Sequence, residues 1–318
     1  MAKAVDLGHG ISLIDLYDLE LPKRTGAYVI EGDELTIVET SASPSVPYLL
    51  KGLDDLGLNL EDVKHIIVTH IHLDHAGGVG LLLEKCPNAT VYVHPRGKQH
   101  LKDPSKLIKG AKAVYGEKFD ELFDPIVPVP EGRLQEQDDS SQLNLGDRTL
   151  TFYDTPGHAK HHFSIHDSKS NSIFTGDTIG VYYPDLLEFD VEFVLPSTSP
   201  NQFDPDIMLD SLGRVESLEV DAINFGHYGQ SRNPKRVYAQ IREWLPRFLE
   251  VSEAALESHQ GANLDDQTEA VQKALFDLIA QHLDSLNVPK DHKVYQFIKL
   301  DADVCGLGIV DYIAKTKR

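Results

Sequence analysis

Short apolar runs and helical stripes alternate along most of this chain, and only helical stripes remain towards its end. Residues 11–16, 26–31 and 35–39 are short runs that predict strands, and Gly32-Asp33 between the last two is a hairpin signal. Residues 47–56 place Leu49, Leu50, Leu53 and Leu56 on one helical face. Lys64-His65-Ile66-Ile67-Val68-Thr69 is a continuous apolar run, the pattern of a strand buried on both faces. Gly77 and Gly78 open a helix containing Leu81, Leu82, Leu83 and Cys86, and residues 90–94 predict a further strand. Residues 103–124 read as a helical excursion over the surface.

The second half repeats this style. Residues 148–154 predict a strand, and Phe163–Asp167 and Ser172–Phe174 a hairpin around Ser168-Lys169-Ser170-Asn171. Residues 184–205, rich in proline, aromatics and acids, predict a long loop or lid, and residues 221–225 one more strand. From Pro234 the spacing is helical: Val237, Ile241, Trp244, Leu245, Phe248 and Leu249 form one stripe, with Pro246 expected to bend or interrupt it. Val271, Leu275, Leu278, Ile279, Leu283 and Leu286 form a second stripe, and Val310, Tyr312 and Ile313 mark a third helix. The pattern predicts an α/β sandwich, with a catalytic domain over residues 1–233 and a C-terminal helical extension over 234–318.

Composition narrows the class. The 318 residues are 41% hydrophobic, ordinary for a globular enzyme, and no apolar run is long enough to cross a bilayer. The first residues lack the pattern of a signal peptide, so a cytoplasmic location is expected. A net charge of -20 repels phosphate backbones and anionic lipid, which argues for a small-molecule substrate and against nucleic acid or membrane as partners. Cys86 and Cys305 form no CxxC pair and read as reduced, buried thiols.

Histidine is the informative count, with 15 in the chain. Thr69-His70-Ile71-His72-Leu73-Asp74-His75 directly follows the doubly buried strand. Extended backbone there would point His70, His72 and Asp74 to one side. Imidazole and carboxylate are ligands that zinc, iron and manganese accept. Downstream, Pro156-Gly157-His158, Thr175-Gly176-Asp177 and Phe225-Gly226-His227 each present a candidate ligand where a strand meets a glycine turn. His162 reads either as support for a ligand or as a polar strand start. His65, His94, His100, His166, His259, His282 and His292 read as surface or satisfied histidines. Tyr228 is a candidate hydrogen-bond donor to substrate, and Tyr182 and Tyr183 are candidate pocket walls.

Over roughly residues 10–230 the HxHxDH run, the PGH, the GD and the GH resemble the metallo-β-lactamase fold superfamily, in that family's order. The resemblance implies a four-layer αββα sandwich and two divalent metal ions, zinc first, with iron or manganese as alternatives. It implies that His70, His72 and His158 hold one ion, that Asp74, His75 and His227 hold the other, and that Asp177 bridges them. Glu39 stands where many members carry an aspartate. The implied activity is hydrolysis of a small-molecule ester, lactone or thioester, with Asp74 orienting the nucleophilic water. Phosphodiester or phosphotriester cleavage on the same centre is one alternative. An iron-dependent persulfide dioxygenase is another. The superfamily's di-iron reductases usually carry a glutamate within the histidine run, where this chain has His72. The amphipathic tail is open to three readings: completing the pocket, covering a sheet edge or forming a homodimer interface.

Overall fold

The computed structural model of the protein describes residues 3–316. These form two compact units. One comprises the described residues of Met1–Thr155, His161–Gly176 and Val220–Arg232, and the other those of Pro156–Lys160, Asp177–Glu219 and Asn233–Arg318.

The first unit is built on two sheets. Strands β1 (Val5–Gly8), β2 (Ile11–Asp15), β3 (Gly26–Ile30), β4 (Leu35–Val38), β5 (Val63–Ile67), β6 (Thr90–Val93) and β7 (Leu134–Glu136) lie in chain order in one sheet. Pairing is antiparallel from β1 to β4 and parallel from β4 to β7. The second sheet runs β15 (Gln230–Ser231), β14 (Ala222–Asn224), β11 (Ser172–Phe174), β10 (Phe163–Asp167), β9 (Thr149–Asp154), β8 (Gln142–Asn144).

Residue alternation explains why the first sheet is buried on both faces. Ile14, Ala27, Val29, Ile37 and Ile66 pack with Leu49 and Leu53 of helix α1 (Val46–Asp55) and with Leu82 of helix α3 (Val79–Leu83). Their chain neighbours Leu13, Tyr28, Ile30, Val38 and Ile67 join Leu150, Phe152, Phe163, Ile165 and Phe174 of the second sheet in a separate core between the sheets. The doubly buried reading of the run before the histidines is therefore correct, and so is the α/β sandwich. Between β6 and β7 the chain makes helices α4 (Pro95–Lys102), α5 (Ser105–Tyr115) and α6 (Phe119–Phe123), the expected excursion.

The second unit is mostly helical: α7 (Pro205–Glu216), α8 (Pro234–Ser258), α9 (Leu264–Ser285) and α10 (Val294–Thr316), with a ribbon of β12 (Val181–Tyr182) and β13 (Val194–Leu195). The C-terminal helical region is thus present as expected. Helix α8 is continuous through Pro246, so the interruption offered as one expectation is absent. Pro246 is exposed, and the stripe Val237, Ile241, Trp244, Leu245 and Phe248 is buried, so packing outweighs the one lost backbone bond. The segment read as a loop or lid instead has a packed interior. Leu186, Phe193, Val194 and Leu195 are buried in it, and Pro184–Phe189 forms a 3-10 helix. Helix α7 went unforeseen, although Asp204 before Pro205 is a cap signal and its carboxylate accepts from Ile207 N at 3.1 Å.

Candidate metal centre

Strand β5 delivers Thr69 and His70 to the edge of the first sheet, and Glu39, one residue beyond β4, meets them there. Glu39 is 2% exposed and takes a left-handed φ of 71°, a strained conformation for a side-chain-bearing residue. That twist lets its carboxylate serve two partners. Thr69 N donates to Oε1 at 2.7 Å, and His75 Nδ1 donates to Oε2 at 2.5 Å. A carboxylate on Nδ1 leaves Nε2 with the lone pair.

The extended run expected here is absent: strand β5 ends at Ile67, Thr69 and His70 lie in a bend, and His72 returns to extended backbone. Leu73–Ala76 is a single helical turn (α2), with His72 at its N-cap. The turn carries Asp74 and His75 away from any extended register, so the same-side argument from alternation fails, although His70 and His72 still meet. His70 Nε2 and His72 Nδ1 lie 3.1 Å apart.

The turn brings Asp74 and His75 together with His227. His75 Nε2 and His227 Nε2 each lie 3.7 Å from Asp74 Oδ2. One donor atom from each of the three falls within 4.8 Å of the others. These separations are too long for hydrogen bonds and suit atoms facing one common cation, since ligand distances near 2.0–2.2 Å give edges of about 3–4 Å. The chemistry of this donor set fits a divalent ion. His75 and His227 are buried, while the Asp74 side chain is 33% exposed and reaches solvent.

The motif glycines have a steric reason. A Cβ on Gly226 would lie 2.7 Å from His75 Cε1, and one on Gly176 would lie 2.5 Å from both His162 Nε2 and Thr69 Oγ1. The imidazoles pack directly on backbone that cannot carry a side chain.

His162 is fully buried, with Nδ1 3.0 Å from Thr155 Oγ1 and its ring centroid 5.0 Å from that of His70. His161 lies 5.4 Å, centroid to centroid, from His72. Both crowd the histidine run, and their adjacency in sequence was the only signal for His161. The discounted histidines are engaged elsewhere: His65 with Tyr92 and Glu34, His94 with Asp154, His292 with Glu188. Tyr228 lies in the core between the sheets, 7% exposed with its ring against Gly26. Tyr183 is buried and donates to Asp301 at 2.7 Å.

In the second unit, the candidates His158 and Asp177 form their own pair. His158 Nδ1 donates to Ser197 O at 3.0 Å, which turns its Nε2 to a position 3.6 Å from Asp177 Oδ2.

The pattern along the chain missed Asp18 and Arg24, which have no ligand spacing to reveal them. Asp18 is 4% exposed, in a stretch where Tyr17, Leu19, Glu20 and Lys23 all have left-handed φ. Burial, then the nearby Asp74 charge, pushes its carboxyl up to about 6, against opposing pulls from Arg24, His227 and His75. Both cysteines are free and buried, and burial raises each thiol to about 11, which rules out a thiolate at neutral pH.

Residues 24–227, more than half of the chain, match the metallo-beta-lactamase superfamily. The chain is 26% identical over 242 residues to the metallo-beta-lactamase fold-containing protein ST1585 of Sulfurisphaera tokodaii, covering 75% of this chain and 85% of that protein. The crystal structure of that archaeal protein superposes with a TM-score of 0.66 at 22% identity, over 95% of this chain and 98% of the other. A human protein named acyl-coenzyme A thioesterase MBLAC2 is 25% identical over 195 residues, 54% of this chain and 64% of that one. A putative diflavin flavoprotein of Nostoc is 24% identical over 245 residues, 73% of this chain but only 37% of that one.

Proposed function

This chain belongs to the metallo-beta-lactamase superfamily, and from that premise we propose that it is a metal-dependent hydrolase of a small-molecule ester, lactone or thioester. The observation that carries the reading is the convergence of Asp74, His75 and His227 around one point, with Glu39 behind His75. In this reading, which follows the family resemblance, His70, His72 and His158 would hold one divalent ion and Asp74, His75 and His227 the other, with Asp177 as a further ligand and zinc as the metal. Bound there, such ions would supply an ionised water and would polarise the electrophile's oxygen.

The chain's own residues do the rest. Glu39 keeps the proton of His75 on Nδ1, so Nε2 stays available. Asp74 is the one member of its cluster open to solvent, and its carboxylate accepts a hydrogen bond from the incoming water and orients it. The likeness to a protein named as an acyl-coenzyme A thioesterase supports an acyl electrophile over a phosphoryl one. The charge of -20 supports a neutral or apolar substrate.

The test is kcat/KM of the metal-reconstituted protein over lactones, thioesters, carboxylic esters and phosphoesters, with Asp74→Ala beside it. Activity confined to acyl substrates and reduced by about two orders of magnitude or more in the variant is expected. Equal turnover by Asp74→Ala overturns the assignment. The likeness to a protein named as a putative diflavin flavoprotein supports a second reading, redox chemistry. Silence across the panel, with iron bound and oxygen consumed in the presence of a persulfide, selects it.

A further inference from the structure

Helix α10 grips a short segment of the second unit that also holds His158 and Asp177. The segment follows β13, and Thr198 is at its centre. Thr198 N donates to Cys305 Sγ at 3.5 Å, and Thr198 Oγ1 donates to Cys305 O at 3.0 Å. The Cys305 thiol in turn donates to Pro196 O at 3.6 Å. Gly308, one turn further along α10, lies under the Thr198 carbonyl: a Cβ on it would be 2.1 Å from that oxygen. Glycine is unfavourable inside a helix, and this approach explains its presence. Asp311 accepts from Asn201 N at 3.1 Å, and Lys315 Nζ donates to Asn201 O at 3.0 Å. Positions 305, 308, 311 and 315 share one helical face, so a single face of α10 holds the whole segment.

The residues flanking Thr198 reach the two candidate ligands. Ser197 O accepts from His158 Nδ1 at 3.0 Å, Ser197 Oγ donates to Asp177 Oδ2 at 3.0 Å, and Ser199 Oγ donates to His158 O at 3.0 Å. Ser197 therefore sets the tautomer and ring direction of one ligand and the carboxylate orientation of the other. Its own place is fixed by the grip on its neighbour.

We propose that α10 is a positioning element of the metal centre, acting through Ser197 on His158 and Asp177. This rests on the metal reading above and assigns to the C-terminal helix a role that neither the family motifs nor the chain pattern gives it. A helix that only packs would affect folding. A helix that positions ligands affects metal affinity as well.

The experiment is cobalt(II) titration of the metal-stripped full-length protein, read as affinity and as the visible d–d spectrum. Ser197→Ala, Ser197→Thr, Gly308→Ala and His158→Ala are compared with the unaltered protein, and circular dichroism confirms folding. Ser197→Ala and Gly308→Ala are expected to weaken cobalt binding about ten- to hundredfold and to alter the spectrum, while Ser197→Thr, which keeps a hydroxyl, restores both. If Gly308→Ala does not fold, Ser197→Ala against Ser197→Thr decides the matter. Wild-type affinity and spectrum in folded Ser197→Ala, alongside loss in His158→Ala, overturn the positioning role and leave the metal reading standing. Absence of tight cobalt binding by the unaltered protein overturns the metal reading, and the proposal with it.

Discussion

Glu39 links fold and candidate centre, because one carboxylate ties a strand end to a candidate ligand. Glu39→Gln keeps the shape and loses the charge that holds the His75 proton on Nδ1. Zinc affinity measured by competition with a chromophoric chelator should fall about ten- to hundredfold. An unchanged affinity would show that the contact is structural only. Asp18 gives a pH prediction. Its carboxyl titrates at about 6 when folded and near the ordinary 3.8 when unfolded. Between those values the folded state binds more protons, so stability of the chelator-treated protein should decrease as pH rises from about 4 to about 6. Asp18→Asn removes this contribution, and urea midpoints of the two proteins across that window should converge at low pH. A constant difference between them would refute the assignment. Neither residue was reachable by spacing alone: Glu39 came from its place in the motif order, and Asp18 acquires its character only from burial beside Asp74.

At the scale of elements, most strands and the long helices were readable because their apolar period is strong. Ile66 and Ile67 face opposite cores, and the unbroken apolar run before the histidines recorded this directly. The pattern failed where local and tertiary terms compete. Helix α8 continues past Pro246, and the exposed site makes this testable. Pro246→Ala should restore a backbone bond and raise stability by about 1–3 kcal/mol, seen as a higher thermal midpoint. A lower midpoint would mean that the surrounding helix is adapted to the ring. The single turn α2 was hidden by its length, and it moves Asp74 out of any extended register. Gly226→Ala probes the steric role of the motif glycines. A Cβ at 2.7 Å from His75 Cε1 must displace the ring, so metal affinity should fall even in protein that stays folded by circular dichroism.

For the whole molecule, the expected behaviour follows from net charge and from the proposed metal centre. A charge of -20 should slow association of anionic substrates at low ionic strength. kcat/KM for such a substrate is expected to rise several-fold between about 0.01 and 0.15 M salt, while that for a neutral substrate of the same class stays flat. Equal salt response would place the charge away from the entry path. Chelation should abolish turnover and lower the thermal midpoint, and zinc should restore both, because an ion that binds only the folded state stabilises it by mass action. Among the described residues no helix is long and apolar enough to cross a membrane.

The chain pattern by itself determined the fold class, the doubly buried strand and the C-terminal helices, and it singled out the residues proposed as ligands. Each of these depends on residue type and local period, which the order of residues states outright. Tertiary structure decided which carboxylate supports which imidazole, that Tyr228 packs in the core, that Asp18 holds its proton to about pH 6, and that α10 grips the segment beside His158 and Asp177. Those facts depend on groups brought together from distant parts of the chain. Burial and Coulomb interactions act through space, and spacing along the sequence does not record them.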